Sequence, residues 1–371
     1  MFISEEINNF IDFKIKFDYL PQLTDMKVEE YKFNLPEELI AQHPCEPRDD
    51  SRMMVVNRKH GSIECKYFRE IPDYMEKDDV LVINDSKVIP ARLFGKKPTG
   101  GMIETLLLSR KDQETPYSES WEVLLRPAKR VSIGTKIVFN ERSWAEIIER
   151  ISDKKWIINF HTELEFDHFL EEHGRAPLPP YIKRGKTTGK DLHDLTRYQT
   201  VYARTPGSVA APTAGLHFSE SILGKMKDRG IQILPITLHV GYGTFLPIET
   251  ARVEDHVMDE EYFELNEQTA EILNEAKRVT TVGTTSTRVL ESLADKRGKI
   301  KSSSGYTSLF IYPGYEFKKV DRLITNFHLP KSSLFLLVCA FAGTDLIKKA
   351  YKKAIEEKFR FYSYGDCMLI I

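Results

Sequence analysis

Three histidines stand in stretches too polar to be read as packing alone. His217 lies in Ala210-Ala-Pro-Thr-Ala-Gly-Leu-His-Phe218, His239 in Thr237-Leu-His-Val-Gly-Tyr-Gly-Thr-Phe245, and His328 in Thr325-Asn-Phe-His-Leu-Pro330. An imidazole titrates near pH ~6.5, so it can take or give a proton at neutral pH. These three are the candidate base and proton donors, with Asp85 and Asp366 as secondary acid/base candidates. A lone histidine is also commonly a satisfied core residue, and that reading competes at each position.

A second chemistry is anion binding. The small residues Thr213 to Gly215 precede a helix start, and Gly283-Thr-Thr-Ser-Thr-Arg288 reads as a hydroxyl-rich strand-to-helix turn. Free N–H groups at helix starts attract carboxylate or phosphate. Thr213, Gly215, Thr285 and Arg288 are therefore candidate substrate contacts, with Asn326 beside His328. Asn84-Asp-Ser-Lys-Val-Ile-Pro-Ala-Arg-Leu93 follows an apolar strand and offers Asn84, Lys87 and Arg92. Thr237, Gly241, Gly243 and Thr244 complete the candidate substrate set. Thr237, His239, Gly241 and Gly243 fall on one face if the stretch is extended, leaving room for a ligand. No Walker or dinucleotide glycine spacing is present. His256-Val-Met-Asp-Glu-Glu261 lacks the spacing of a metal site, so no metal is expected.

These residues need elements to hold them. Strands are predicted at Met53 to Val56 and Ser62 to Phe68, and a short helix from Pro36. Short β-rich runs from about Asp79 to Phe160, separated by Gly, Pro and charged turns, predict a small antiparallel barrel or sandwich. Helices and strands mix afterwards. Ser219 and Asn266 are predicted N-caps, Thr344 a cap for the last helix, Ile231 to Val240 a strand, and Cys367 to Ile371 a final strand. The expected class is α+β: a large mixed α/β domain (26–78 plus 161–371) with an inserted antiparallel β-barrel (79–160). Residues 1–25 read as an N-terminal extension.

The 371 residues carry 53 Lys plus Arg against 55 Asp plus Glu, so any nucleic acid must meet a local patch. Four scattered cysteines, no basic leader, and a longest apolar run of only Leu334 to Ala342 predict a cytoplasmic protein without a membrane span. Nothing in the sequence requires more than a monomer.

Taken together and in order, the stretches resemble one family, the S-adenosylmethionine:tRNA ribosyltransferase-isomerases. The resemblance rests on NDSKVIPARL, TGGMIE, LLRPAKR, PLPPYI, YQTVYA, APTAGLHF, Thr237 to Phe245, VGTTSTRVLES, LITNFHLP and Lys358 to Leu369, and runs from about Met26 to Ile371. Asp259 stands where the family usually has a histidine; Ser86 and Lys87 stand where threonine and arginine are common. The resemblance implies transfer and isomerisation of the ribosyl part of S-adenosylmethionine. The acceptor is 7-aminomethyl-7-deazaguanine at the tRNA wobble position, and the product epoxyqueuosine, with adenine and methionine released. The donor is consumed, and no cofactor is implied. For tRNA, Arg126, Lys129, Lys183, Arg184, Lys186 and Lys190 are the candidate cations, with Tyr181 and Tyr198 as stacking platforms. The alternative reading is a noncatalytic tRNA-binding protein, which would not need the glycine-and-histidine stretch at 237–245.

Overall fold

Four parallel strands, Gln232–Leu238, Val80–Asn84, Val279–Val282 and Arg322–Asn326, lie side by side in the computed structural model. Residues 25–184 and 192–371 are described. Val80–Asn84 is buried at all five positions, and Val279–Val282 at all four. Runs of apolar residues without alternation are what a parallel strand covered on both faces requires.

Antiparallel strands extend the sheet to nine. Glu261–Leu265 and Ser303–Thr307 flank Gln232–Leu238. On the other side Cys367–Ile370 pairs antiparallel with Arg322–Asn326 and parallel with Arg52–Asn57, and Ser62–Tyr67 ends the sheet. The predicted strands at 53–56, 62–68 and 367–371 are all present.

A closed barrel of six antiparallel strands is inserted: Lys155–His161, Ser118–Arg126, Met102–Thr115, Arg92–Lys96, Lys136–Val138 and Trp144–Arg150. The α+β class holds, but the insert begins later than residue 79. Val80–Asn84 is a central strand of the large sheet. An apolar strand reads alike in a barrel or a sheet, and only long-range pairing assigns it. The helix Phe166–His173 closes the barrel with Phe166, which stacks on Trp121 at 5.7 Å and meets Phe160 edge-on at 4.9 Å.

Helix ends follow their caps. Ser219 Oγ accepts from Ile222 N and starts Glu220–Asp228; Asn266 caps Glu267–Glu275 by accepting from Thr269 N. The Leu334 to Ala342 run is a buried helix, Ser333–Ala342. No helix among the described residues is long and apolar enough to cross a membrane. Three local expectations fail. Thr344 is the first residue of its helix, and Gly343 at φ +88° holds the cap position. The helix from Pro36 is one 3-10 turn, Glu37–Leu39. The strand after Ile231 stops at Leu238, and Tyr242–Phe245 is a 3-10 turn. Gly241 and Gly243 therefore share no strand face with His239.

Candidate active site

Ligands in open parallel sheets bind in the crevice beyond the carboxyl ends of the strands. A cleft of about 590 Å3, counting its mouth, occupies that position here. Its wall follows three strands: Val240 and Thr244 after Gln232–Leu238, Gly283 to Thr285 after Val279–Val282, and Thr325 to Leu329 at the end of Arg322–Asn326. Ala211 to Ala214, Tyr181, Tyr362 and Ser363 complete it.

The turn at 283 has the features that an anion-binding helix start requires. Gly283 sits at φ +90°, where a side chain would be strained. It caps Thr284–Leu293 with no side-chain hydrogen bond, so the first N–H groups of that helix stay available to a ligand. Two hydroxyls of the turn are spent: Ser286 Oγ donates to Val282 O at 2.8 Å, and Thr287 Oγ1 lies 2.7 Å from Thr281 Oγ1. Thr285 Oγ1 is buried without a partner. Asn326 fixes its amide nitrogen on Tyr362 O at 3.0 Å and shares a side-chain hydrogen bond with His217. Unpaired buried polar atoms cost stability. At the cleft, such an atom on Thr285 marks a place where a ligand would satisfy it. Tyr362 itself is a non-glycine residue at φ +70°, held by Phe327 O. Such strain persists where surrounding contacts force it, often at sites.

The three histidines separate. His328 lines the cleft; its Nε2 is 2.8 Å from Thr325 Oγ1, and its backbone N–H donates to Tyr351 Oη at 2.9 Å. Burial pushes its pKa down to about 3. His217 lies behind the wall, with Nδ1 2.7 Å from Ser51 Oγ and its ring 5.3 Å from Phe68. Burial first, then the charge of Arg360, pushes its pKa down to about 3, while Asn326 acts in the opposite direction. His239 flanks the cleft beside Val240. Its Nδ1 is 2.9 Å from Ser86 Oγ, its ring stacks on Tyr262, and burial lowers its pKa. A Cβ at Gly207 would come 2.6 Å from His239 Nε2, so glycine there admits the ring.

Several expected substrate contacts are already engaged. Arg288 is buried and ion-paired with Glu261, and donates to Leu309 O at 2.8 Å. Its guanidinium is not open to a substrate carboxylate. Asn84 joins neighbouring segments, donating to Leu238 O at 2.9 Å and accepting from Leu238 N at 3.0 Å. Asp85 accepts from Thr237 Oγ1 at 2.7 Å, and burial raises its pKa. Asp366 is a clamp: it accepts from Arg52 N at 3.1 Å and Arg360 N at 2.8 Å and pairs with Arg360. Arg92 donates to Leu178 O at 2.6 Å. Gly215 is not in the wall, and its Cβ would meet Tyr202 Oη at 2.1 Å. Gly241 N donates to Glu261 at 2.9 Å, and a Cβ on Gly243 would collide with Asp259 at 2.4 Å. Lys87 is exposed; Thr213 and Thr244 line the cleft.

Among the RNA candidates, Tyr198 is fully buried, edge-on to Tyr364 at 5.9 Å, and cannot serve as a stacking platform. Tyr181 lines the cleft with its hydroxyl 2.6 Å from Ser363 Oγ. Arg184 grips Asp194 with both ends of its guanidinium, at 2.7 and 2.8 Å, and Lys183 pairs with Glu37. Arg126 and Lys129 are exposed on the barrel. Lys186 and Lys190 lie outside the described residues. Ser51, Glu261 and Tyr362 were not foreseen, because each acts through a partner distant in the chain or through a backbone angle. The acids at 256–261 do not converge: Asp259 reaches Lys155 at 3.5 Å and Glu261 pairs with Arg288.

The family described as "Queuosine biosynthesis protein" matches residues 28–370. Curated relatives named S-adenosylmethionine:tRNA ribosyltransferase-isomerase are 56% identical in Syntrophus aciditrophicus and 48% identical in Desulfitobacterium hafniense. Each alignment covers 93% of this chain and all of the relative. A crystal structure of an S-adenosylmethionine tRNA ribosyltransferase from Thermotoga maritima is 37% identical with a TM-score of 0.52, covering 92% of this chain and all of that one. With nearly every residue matched, and a cleft where a mixed sheet offers one, the chain belongs to the queuosine biosynthesis family of tRNA ribosyltransferase-isomerases, and is an enzyme.

Proposed function

We propose that this chain moves the ribosyl unit of S-adenosylmethionine onto 7-aminomethyl-7-deazaguanine at the tRNA wobble position and isomerises it to epoxyqueuosine, releasing adenine and methionine. The observation that carries this reading is the pairing of an uncapped helix start with the unpartnered Thr285 Oγ1 in one cleft. The methionine carboxylate fits the N–H groups at 284–286, taking the role that Arg288 cannot fill. The ribose hydroxyls can exchange hydrogen bonds with Thr285.

The sulfonium acidifies the neighbouring 5′ hydrogens, so the first need is a base that is neutral at physiological pH. His328 is the candidate for that role, because it is the one of the three histidines that lines the cleft. His217 reaches the cleft wall through Asn326, and His239 stands beside Val240 at its edge. The low polarity that neutralises these rings also keeps water from reactive intermediates.

The test is incubation of the full chain with the donor and an anticodon stem-loop carrying 7-aminomethyl-7-deazaguanine, in metal-free buffer. Adenine released in step with a mass gain on the RNA is the expected result. RNA binding with no adenine would overturn the catalytic reading and leave a noncatalytic tRNA-binding protein.

A further inference from the structure

One rim of the barrel collects exposed cations. The strand registers place the end of Arg92–Lys96, the start of Met102–Thr115 and the end of Ser118–Arg126 together: Lys96 faces Met102, and Glu104 faces Arg126. Lys96, Arg126, Lys129 and Arg130 are exposed at this end, and Lys97 is half-buried. Lys97 Nζ donates to Arg130 O at 3.0 Å and ties the two loops together. None of the five pairs with a carboxylate among the described residues. Other cations of the same barrel are answered: Arg110 by Glu119 at 3.0 Å, Lys111 by Glu122 at 2.7 Å, and Arg142 by Glu163. In a chain with net charge -2, this concentration of unpaired positive charge is local.

The rim also adjoins the cleft. Lys155 faces Leu124, two residues before Arg126, and reaches across to Asp259 at 3.5 Å. Asp259 rests against Gly243, next to Thr244 in the cleft wall. Lys154 makes a parallel contact with Glu249 at 3.6 Å.

We propose that the rim formed by Lys96, Lys97, Arg126, Lys129 and Arg130 docks the phosphate backbone of the RNA substrate, holding the anticodon arm beside the cleft. The inference rests on the reading of tRNA as acceptor. Unpaired lysines and arginines give a grip that follows the backbone and ignores sequence, so the barrel positions the RNA while the cleft selects the nucleotide.

The experiment compares the full chain with the variant Lys97→Gln/Arg126→Gln/Lys129→Gln/Arg130→Gln and with the control Lys111→Gln/Arg142→Gln. Each is titrated with the modified anticodon stem-loop at several salt concentrations. The rim variant should raise the KM for RNA about tenfold or more. It should flatten the log-log dependence of RNA affinity on salt by about 3, at roughly 0.7–0.9 for each of the four phosphates no longer neutralised. Its KM for S-adenosylmethionine and the behaviour of the control should stay as in the parent. Should the fourfold variant unfold, Arg126→Gln and Arg130→Gln are read singly, each flattening the slope by about 0.7. A folded rim variant with the parent's RNA affinity and salt slope overturns the assignment. A parent chain that neither binds nor modifies the RNA overturns the functional reading itself, and the rim with it.

Discussion

His217 and His328 are both neutral in the fold because burial drives each pKa to about 3. An unfolded imidazole titrates near pH ~6.5. The depressed pKa means that the folded state binds fewer protons, so stability is intact above pH ~6.5 and falls as pH drops from there toward 3. At pH 5 each ring costs roughly 2 kcal/mol. Urea unfolding at pH 7 and pH 5 should show this loss, and His328→Gln should remove about half of it. A parent and variant with equal acid sensitivity would count against the burial argument. On catalysis, His328→Gln should lower kcat by about 100-fold or more. Thr285→Val should instead raise the KM for S-adenosylmethionine, by about tenfold, since a net hydrogen bond is worth about 1 kcal/mol or slightly more. An unchanged KM in Thr285→Val would remove that hydroxyl from the donor site.

At the scale of elements, the Arg288–Glu261 pair joins the helix Thr284–Leu293 to the strand Glu261–Leu265. Glu261 Oε1 also accepts from Gly241 N at 2.9 Å, so the same carboxylate anchors the turn that presents Thr244 to the cleft. Both side chains are almost fully buried. Removing one member leaves an uncompensated buried charge, which costs about 3–5 kcal/mol. Arg288→Met should lose that much in urea unfolding, and Glu261→Gln added to it should recover part. A double variant no more stable than Arg288→Met would show that the pair matters for packing alone.

For the whole molecule, the question is whether barrel and large domain unfold together. All three tryptophans, Trp121, Trp144 and Trp156, lie in the barrel, whereas most helix lies outside it. The apolar core runs without a break from barrel residues such as Leu93 and Ile158 to Phe327 and Leu336 of the large domain. Tryptophan fluorescence and far-UV circular dichroism should therefore give one coincident transition. Two separated transitions would mean that the barrel is an independent folding unit. S-Adenosylmethionine should shift the shared midpoint upward, because it binds the folded state alone.

Elements with local causes were legible in the amino-acid order. Ser219 and Asn266 start their helices as expected, because a side chain meets a backbone N–H three residues on. Four of the six barrel strands could be read in short β-rich runs, and the cleft residues Thr213, Thr244, Thr285, Asn326 and His328 in dense polar motifs. Three things emerged only from the folded chain. Val80–Asn84 joined the large sheet, because an apolar run carries no record of its partner strands. Histidines of equal sequence promise separated: His328 lines the cleft, His217 sits behind it against Ser51, and His239 sits beside it against Ser86. Arg288, Asp366 and Tyr198 withdrew from direct substrate roles, because Glu261, Arg360 and the surrounding core had already claimed them. Pairing and burial are set by segments far apart in the chain, which no local pattern of residues encodes.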